Sequence, residues 1–470
     1  MHYYNKNATF RFSLPSTKIL VLGIITSLFG TGIAGIIQII QKAVKDMPEG
    51  IIRFDSVFLF LYSLAAITLF IGCICIFITP LFFAGMSDAS RIKYSVRKGL
   101  FCYQYGNPLN LKEAERLPKI TCKKQRDGLF ALTISATSSS VEDILKLPSH
   151  ISRMLNKRYR RYAVTSGVAD SAFNNVTFFI EDVTVDNSLI VGDVNGLCPK
   201  KPYKLKVDKN HSIDLRYSQS MIFAGKTRSG KTTAVISLLL QTLLMGRDKY
   251  GSRIVIIDPK QAELSRLPYA VTLDEDGGAR AILQAMREFA ATITKRQKVL
   301  NDLSEKEGNA VHWWDIGMRP SFIFIDEYVA LRSLFPKRPS KDEPGYCLAE
   351  FDALLKRIVT MGASSGSFAI ISIAEASVDE SSGGGIPAMI RSACTTKVLF
   401  KPLLPEAQLL WSNEMLSGLN TGRIYEAGDA WFSSTDGTHD MPTYVHFPVM
   451  KFGEYRELGR LLKLYYAEKS

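Results

Sequence analysis

The sequence is short of organised cysteine. Its seven cysteines follow neither the spacing of a zinc site nor that of a disulfide framework, so reduced or lipid-buried thiols are expected and no structural metal. No tandem repeat or low-complexity tract stands out, which leaves solenoids and arrays without support. Acidic residues are outnumbered, 45 against 58 Lys and Arg, giving a formal net charge of +13. Such a surface favours an anionic partner, nucleic acid or the inner membrane face, without choosing between them. Charge is missing altogether from two stretches, residues 19–41 and 56–87. A bilayer core takes about 20 apolar residues as a helix, so both are long enough to span. Neither has a charged face, which argues against amphipathic surface helices. The first has no clear small-residue cleavage site and a second follows closely, which argues against a signal peptide.

The flanks orient these spans. Lys6, Arg11 and Lys18 precede the first, and Arg91, Lys93, Arg97 and Lys98 follow the second. The connection between them mixes Lys42, Lys45 and Arg53 with Asp46, Glu49 and Asp55. Positive flanks stay inside, so a multi-pass protein of the cell membrane is expected, with both termini cytoplasmic and the connection outside. The lipid bilayer is then one partner.

What the chain does have is Gly225-Lys226-Thr227-Arg228-Ser229-Gly230-Lys231-Thr232, a full G-x-x-x-x-G-K-[ST] pattern. An apolar run, 221–224, precedes it, and a helical run from Thr233 follows. Strand, glycine loop and helix are the context this phosphate-binding motif requires. Backbone N–H groups of such a loop cradle phosphate oxygens. Residues 225–233 are therefore the expected ATP-binding set. Lys231 can reach the β- and γ-phosphates, and the Thr232 hydroxyl can ligate Mg²⁺. The competing reading is a glycine-rich turn before a helix, which leaves the match of every fixed position unexplained.

About 95 residues on, a second apolar strand, 321–325, ends in Asp326-Glu327. Asp326 suits Mg²⁺ and Glu327 suits polarisation of an attacking water. With Lys231 they form the expected catalytic set, and Thr232 and Asp326 the expected metal set. A third buried strand, 254–257, delivers Asp258, Lys260 and Gln261 to the same sheet edge. Lys260 there either faces a phosphate or pairs with a local carboxylate.

Further strands are expected over 368–373 and 394–401. A helix over 278–303 has Ile282, Met286, Phe289, Ile293 and Leu300 on one face; a solvated face accounts for most of its basic residues, among them Arg287, Arg296 and Lys298. Arg391 and Lys397 could reach a neighbouring subunit's phosphate or simply serve solubility. Lys337, Arg338 and Lys341 fall in a proline-rich, irregular surface loop. Before the phosphate loop, strands are expected over 128–134 and 176–180, with shorter ones over 189–193 and 203–207. A helix over 140–155 should stop or bend near Pro148. The basic-aromatic run 157–162 could touch phosphates and stack on a base, or form a basic surface near the bilayer. Trp411, Trp431, Tyr465 and Tyr466 read as packing residues.

GKTRSGKT, IIDPKQAEL over 256–264 and FIFIDEYVAL over 322–331 together resemble the FtsK/SpoIIIE-type membrane-anchored DNA translocases, in particular the coupling ATPases of Gram-positive conjugative elements. The resemblance covers roughly 213–428. It implies an α/β, RecA-like P-loop NTPase motor over 206–470. A small α+β domain over 91–205 and a two-helix membrane anchor over 1–90 would precede it. It also implies an ATP-hydrolysing, DNA-translocating homo-hexamer with each site between subunits. The partners it implies are DNA, a relaxase and the membrane proteins of a type IV secretion channel.

Two departures narrow this. Ala374 and Glu375 stand where relatives place a glutamine after the sensor strand, so no γ-phosphate sensor is assigned. No winged-helix orientation segment is apparent, and only 233–320 separates the two nucleotide motifs, too little for the large all-helical insertion of virulence-type coupling ATPases. Three alternatives stay open: a chromosome translocase in division or sporulation, a protein-secretion ATPase, and a non-catalytic nucleotide-binding scaffold.

Overall fold

A computed structural model describes residues 15–45, 55–101, 107–126, 128–137, 139–155, 159–182, 187–374, 386–417, 426–436 and 439–467. The chain divides into two units, Met1–Val164 with Ala169–Val183, and Thr165–Val168 with Thr184–Ser470.

In the first unit, α1 (Pro15–Lys45) and α2 (Asp55–Gly85) are the two apolar helices, each long enough to cross a membrane. Most of their large apolar side chains are exposed, among them Leu28, Ile39, Phe70 and Phe77. In water that arrangement is costly, at about 1.5–3 kcal/mol for each side chain left unburied. In lipid it costs nothing. Small residues bring the two backbones close: a Cβ on Gly72 would lie 2.2 Å from Ser27 Oγ.

The same unit holds α3 (Asp88–Phe101), β1 (Ile120–Arg126), β2 (Leu129–Ser135), α4 (Val141–Leu145), α5 (Pro148–Met154) and β4 (Asn175–Asp182); β3 (Tyr162–Ala169) completes a four-stranded sheet in the order β1-β2-β4-β3. Strict alternation along β4 turns Val176, Phe178 and Ile180 inward against Ile92, Val96, Leu132 and Ile144. The expected helix over 140–155 is two short ones, because Pro148 has no N–H to continue α4 and instead starts α5. The aromatic half of the basic-aromatic run is taken up by packing. Tyr159 is buried, donates to Asp88 Oδ1 at 2.7 Å and meets Tyr162 edge-on. Arg161 pairs with Asp182 at 2.8 Å. Lys157 and Arg158 lie outside the described residues.

The second unit is a three-layer α/β/α domain. Its short strands β5 (Ile190–Val191), β6 (Lys204–Lys206) and β7 (Ser212–Asp214) come first, and β6 pairs with β7. Then follow β8 (Met221–Ala224), α6 (Lys231–Leu244), β9 (Ile254–Ile257), β10 (Ala270–Val271), α7 (Arg280–Glu307) and β11 (Ser321–Ile325). After them come α8 (Tyr328–Ser333), α9 (Leu348–Met361), β12 (Ser367–Ile373), α10 (Ala388–Ala393), β13 (Thr396–Phe400), α11 (Leu404–Leu410) and α12 (Asn413–Ser417). The unit ends with β14 (Asp429–Ser434), β15 (His439–His446), β16 (Val449–Met450) and α13 (Glu454–Ala467). Strands β5 and β6, expected in the small domain, stand in this unit because β5 pairs with β16 and β6 is held by α6.

The main sheet runs β10-β9-β11-β12-β8-β13-β14-β15. It is parallel through β13 and antiparallel at β14 and β15. The central strands are buried on both faces, so they read as continuous apolar runs rather than alternating ones. One face carries Phe223, Ile256 and Phe324 against Leu238 of α6 and Leu462 of α13. The other carries Ile222, Ile257 and Ile325 against Met286 of α7 and Leu355 of α9. Strand β13 has neighbours on both sides, so it is no edge. Arg296 departs from the expected solvated face of α7. It is fully buried and pairs with Asp248 at 3.2 Å, donating also to the carbonyls of Ser365 and Arg319 at 2.7 Å.

Candidate functional site

Because β8, β9, β11 and β12 are parallel, their carboxyl ends share one edge of the sheet. The loop after β8 alternates in hand, with φ at +148° for Gly225, +63° for Arg228 and +96° for Gly230. Such alternation turns successive N–H groups into one concavity, an anion nest. Gly230 has no room for a side chain: a Cβ would lie 2.5 Å from the Gly428 nitrogen. Helix α6 then starts at Lys231, its free N–H groups and dipole facing the loop. Ser229 Oγ is buried in the loop with no hydrogen-bond partner among the described residues, a hydroxyl donor whose proton a phosphate oxygen could accept.

Lys231 is buried, and its Nζ donates to Ile373 O at 2.8 Å and to Gly225 O at 3.2 Å. Burial pushes its pKa down, and the Glu327 and Asp326 carboxylates oppose that. Asp326 follows β11. Burial pushes its carboxyl above the usual range, with the Ser372 hydroxyl, short of a full hydrogen bond, opposing and Glu327 adding to the rise. A largely buried carboxylate beside a hydroxyl-bearing phosphate loop is a hard-oxygen donor set that fits Mg²⁺. Glu327 takes a left-handed backbone, φ +47°, at the start of α8. A non-glycine residue held there costs about 1–2 kcal/mol. Its Oε1 lies 3.0 Å from Lys260 Nζ and 4.0 Å from Lys231 Nζ.

Of the two roles open to Lys260, then, the side chain takes the pairing with a carboxylate. Asp258 is an organiser of backbone. It is fully buried and accepts from the N–H groups of Lys260, Ala262 and Ser265, each at 3.0 Å. Those bonds fold the turn that aims Lys260 at Glu327, and Gln261 takes a φ of +52° within it.

No motif announces the segment that closes the site from behind. Gly428 N–H donates to Ser229 O at 2.9 Å. Asp429, next along, accepts from Glu426 N at 2.7 Å and from the Tyr444 hydroxyl, and lies 2.6 Å from His446 Nδ1. No local periodicity flags it, since β14 is buried at every position. Lys397 donates its Nζ to Leu410 O at 2.8 Å, and burial pushes its pKa down, so it is no free cation for a neighbour. Arg391, on α10, makes no ion pair among the described residues. Residues 375–385, with Glu375, lie outside them. Lys337, Arg338 and Lys341 stand exposed in the irregular connection from α8 to α9.

Residues 197–335 match the FtsK/SpoIIIE family, a segment that contains the phosphate loop, Lys260, Asp326 and Glu327. An FtsK domain-containing protein, YdcQ of Bacillus subtilis (strain 168), is 25% identical over 151 residues, which span 32% of this chain and 28% of that protein. Among solved structures, the monomer form of the pCW3 conjugation coupling protein TcpA with ATPγS has 15% identity and a TM-score of 0.44. That match covers 74% of this chain and 93% of the other. EssC (ATPases 2 and 3) from Geobacillus thermodenitrificans has 14% identity and a TM-score of 0.40, over 61% of this chain and 53% of that one.

Proposed function

We propose that this chain, an FtsK/SpoIIIE-type ATPase, is a membrane-anchored DNA translocase that couples relaxase-bound DNA to a type IV secretion channel. One observation supports this most. A single FtsK/SpoIIIE segment carries both the phosphate loop and the Asp326-Glu327 pair, in a chain that also holds two helices of membrane-spanning length. The charge of the flanks leaves the motor on the cytoplasmic side, where ATP is.

In this reading Lys231 meets the β- and γ-phosphates as a point charge, and the N–H groups of residues 225–233 cradle them. Thr232 and Asp326 hold Mg²⁺, which when bound neutralises charge on the phosphates. Glu327 orients the attacking water and accepts its proton, giving ADP and phosphate. Its tie to Lys260 fixes the carboxylate at the mouth of the loop. The working state is a homo-hexamer around DNA, with Arg391 the remaining candidate to reach a neighbour's nucleotide.

DNA should stimulate ATP hydrolysis, since a pump that idles wastes ATP. The test uses full-length protein in a membrane mimetic, in oligomers verified by mass, with duplex and single-stranded DNA added separately. Hydrolysis unchanged by either form would overturn the DNA pump and favour a protein-secretion motor. In cells, deletion of the gene from a donor should abolish transfer of the conjugative element. Undiminished transfer would reject the coupling role.

A further inference from the structure

The chain entering the motor builds a second basic concavity, separate from the phosphate loop. Lys200, Lys201, Lys204, Lys206 and Lys209 line a cavity of about 420 Å³ around the β6–β7 hairpin. Four of these ammonium groups, on Lys200, Lys201, Lys204 and Lys206, have no carboxylate within ion-pair distance among the described residues. The one acid in the lining, Asp208, is occupied internally. It is buried, accepts from the N–H groups of Asn210 and His211 at 2.6 Å, and meets His211 Nδ1 at 2.8 Å. The concavity is therefore strongly positive, and none of the described residues neutralises those four charges.

The mounting is firm. Gln241, fully buried on α6, accepts from Lys206 N at 2.7 Å and donates to Lys206 O at 2.9 Å. A buried amide that satisfies both backbone groups of one strand residue holds that strand against the helix. Since Gln241 is ten residues along α6 from Lys231, the groove is fixed about 15 Å from the phosphate loop along the helix axis.

We infer that this groove binds the phosphodiester backbone of a nucleic-acid strand. Clustered lysines without counter-charges bind phosphates by releasing condensed counterions, and lysine meets phosphate as a point charge with no demand for sequence. The concave shape favours a strand over a bilayer surface, which a flat or convex patch would meet better. The inference rests on the DNA-translocase reading and gives that reading a DNA-binding surface outside the nucleotide site.

The test is binding of labelled duplex and single-stranded oligonucleotides to full-length protein in a zwitterionic membrane mimetic, across a range of KCl concentrations. Wild type is compared with a variant carrying Lys200→Gln, Lys201→Gln, Lys204→Gln and Lys206→Gln. A milder variant, Lys201→Gln with Lys204→Gln, guards against misfolding. Binding of a fluorescent ATP analogue serves as the fold control and should not change. The slope of log K against log salt should fall by about 0.7–0.9 for each phosphate that is no longer neutralised, so by about 3–4 in the fourfold variant and 1–2 in the double. Affinity at low salt should drop about tenfold or more. An unchanged slope in both variants, with wild type binding DNA, would overturn the groove alone. Absence of DNA binding by wild type would overturn the translocase reading with it. Loss of binding to phosphatidylglycerol vesicles with DNA binding intact would make the groove a lipid site and overturn the inference.

Discussion

Glu327 is constrained at both its backbone and its side chain. It sits at φ +47°, and its carboxylate lies between Lys260 at 3.0 Å and Lys231 at 4.0 Å. Strain of that kind persists where the surroundings over-determine a side chain. If Glu327 is the base, Glu327→Gln keeps its size and its place but cannot take a proton. The variant should bind ATP much as wild type does and hydrolyse it about 10²–10⁴-fold more slowly in single-turnover measurements. Lys231→Ala should instead lose nucleotide binding, because it removes the charge that meets the phosphates. Hydrolysis by Glu327→Gln at the wild-type rate would reassign the base. These two positions and Asp326 could be found from sequence because each lies within a short contiguous motif at a strand end. Lys260 was found too, with its pairing to a carboxylate as one of two readings left open. Asp258 buries its carboxylate in backbone N–H bonds, and that is decided by the turn after β9, which no spacing rule reports.

At the scale of elements, α7 shows where periodicity succeeds and where it stops. Ile282, Met286, Phe289, Ile293 and Leu300 are all buried, as their spacing requires. Arg296 is as buried as they are, because Asp248 and two carbonyls from distant loops converge on its guanidinium. Partners 48 and 69 positions away leave no trace in a helical wheel. Removing one member of such a pair strands the other. Arg296→Met should therefore destabilise the motor by about 3–5 kcal/mol, read as a lowered denaturation midpoint. Lys298→Met, at a less buried position two residues on, should shift it by no more than about 0.5 kcal/mol. The buried core strands were legible from Val, Ile and Phe content. The β14–β15 hairpin was not, since its place is set by pairing with β13 and by the turn at Gly428.

For the whole molecule, the apolar helices and the basic flanks make separate statements. The helices α1 and α2 are of spanning length and mostly exposed, which is a matter of composition and packing. Which side the ATPase unit occupies is an expectation from charge alone. A cysteine introduced by Gly50→Cys, in the connection between the helices, should react with a membrane-impermeant maleimide on intact cells. Cys198, exposed in the motor unit, should react only after permeabilisation. The reverse pattern would invert the topology and deprive the site of cytoplasmic ATP.

The hydrogen bond from Gly428 to Ser229 O bears on how the protein is made. At about 5–20 residues per second, roughly 10–40 s separate synthesis of Ser229 from synthesis of its latch. Strands β12 and β13, which flank β8 on either side, also arrive within that interval. The two apolar helices have by then long left the ribosome. A nascent chain therefore has its two apolar helices free of the ribosome while its phosphate loop still lacks its neighbours. If the helices anchor the chain, insertion is expected to precede competence for ATP.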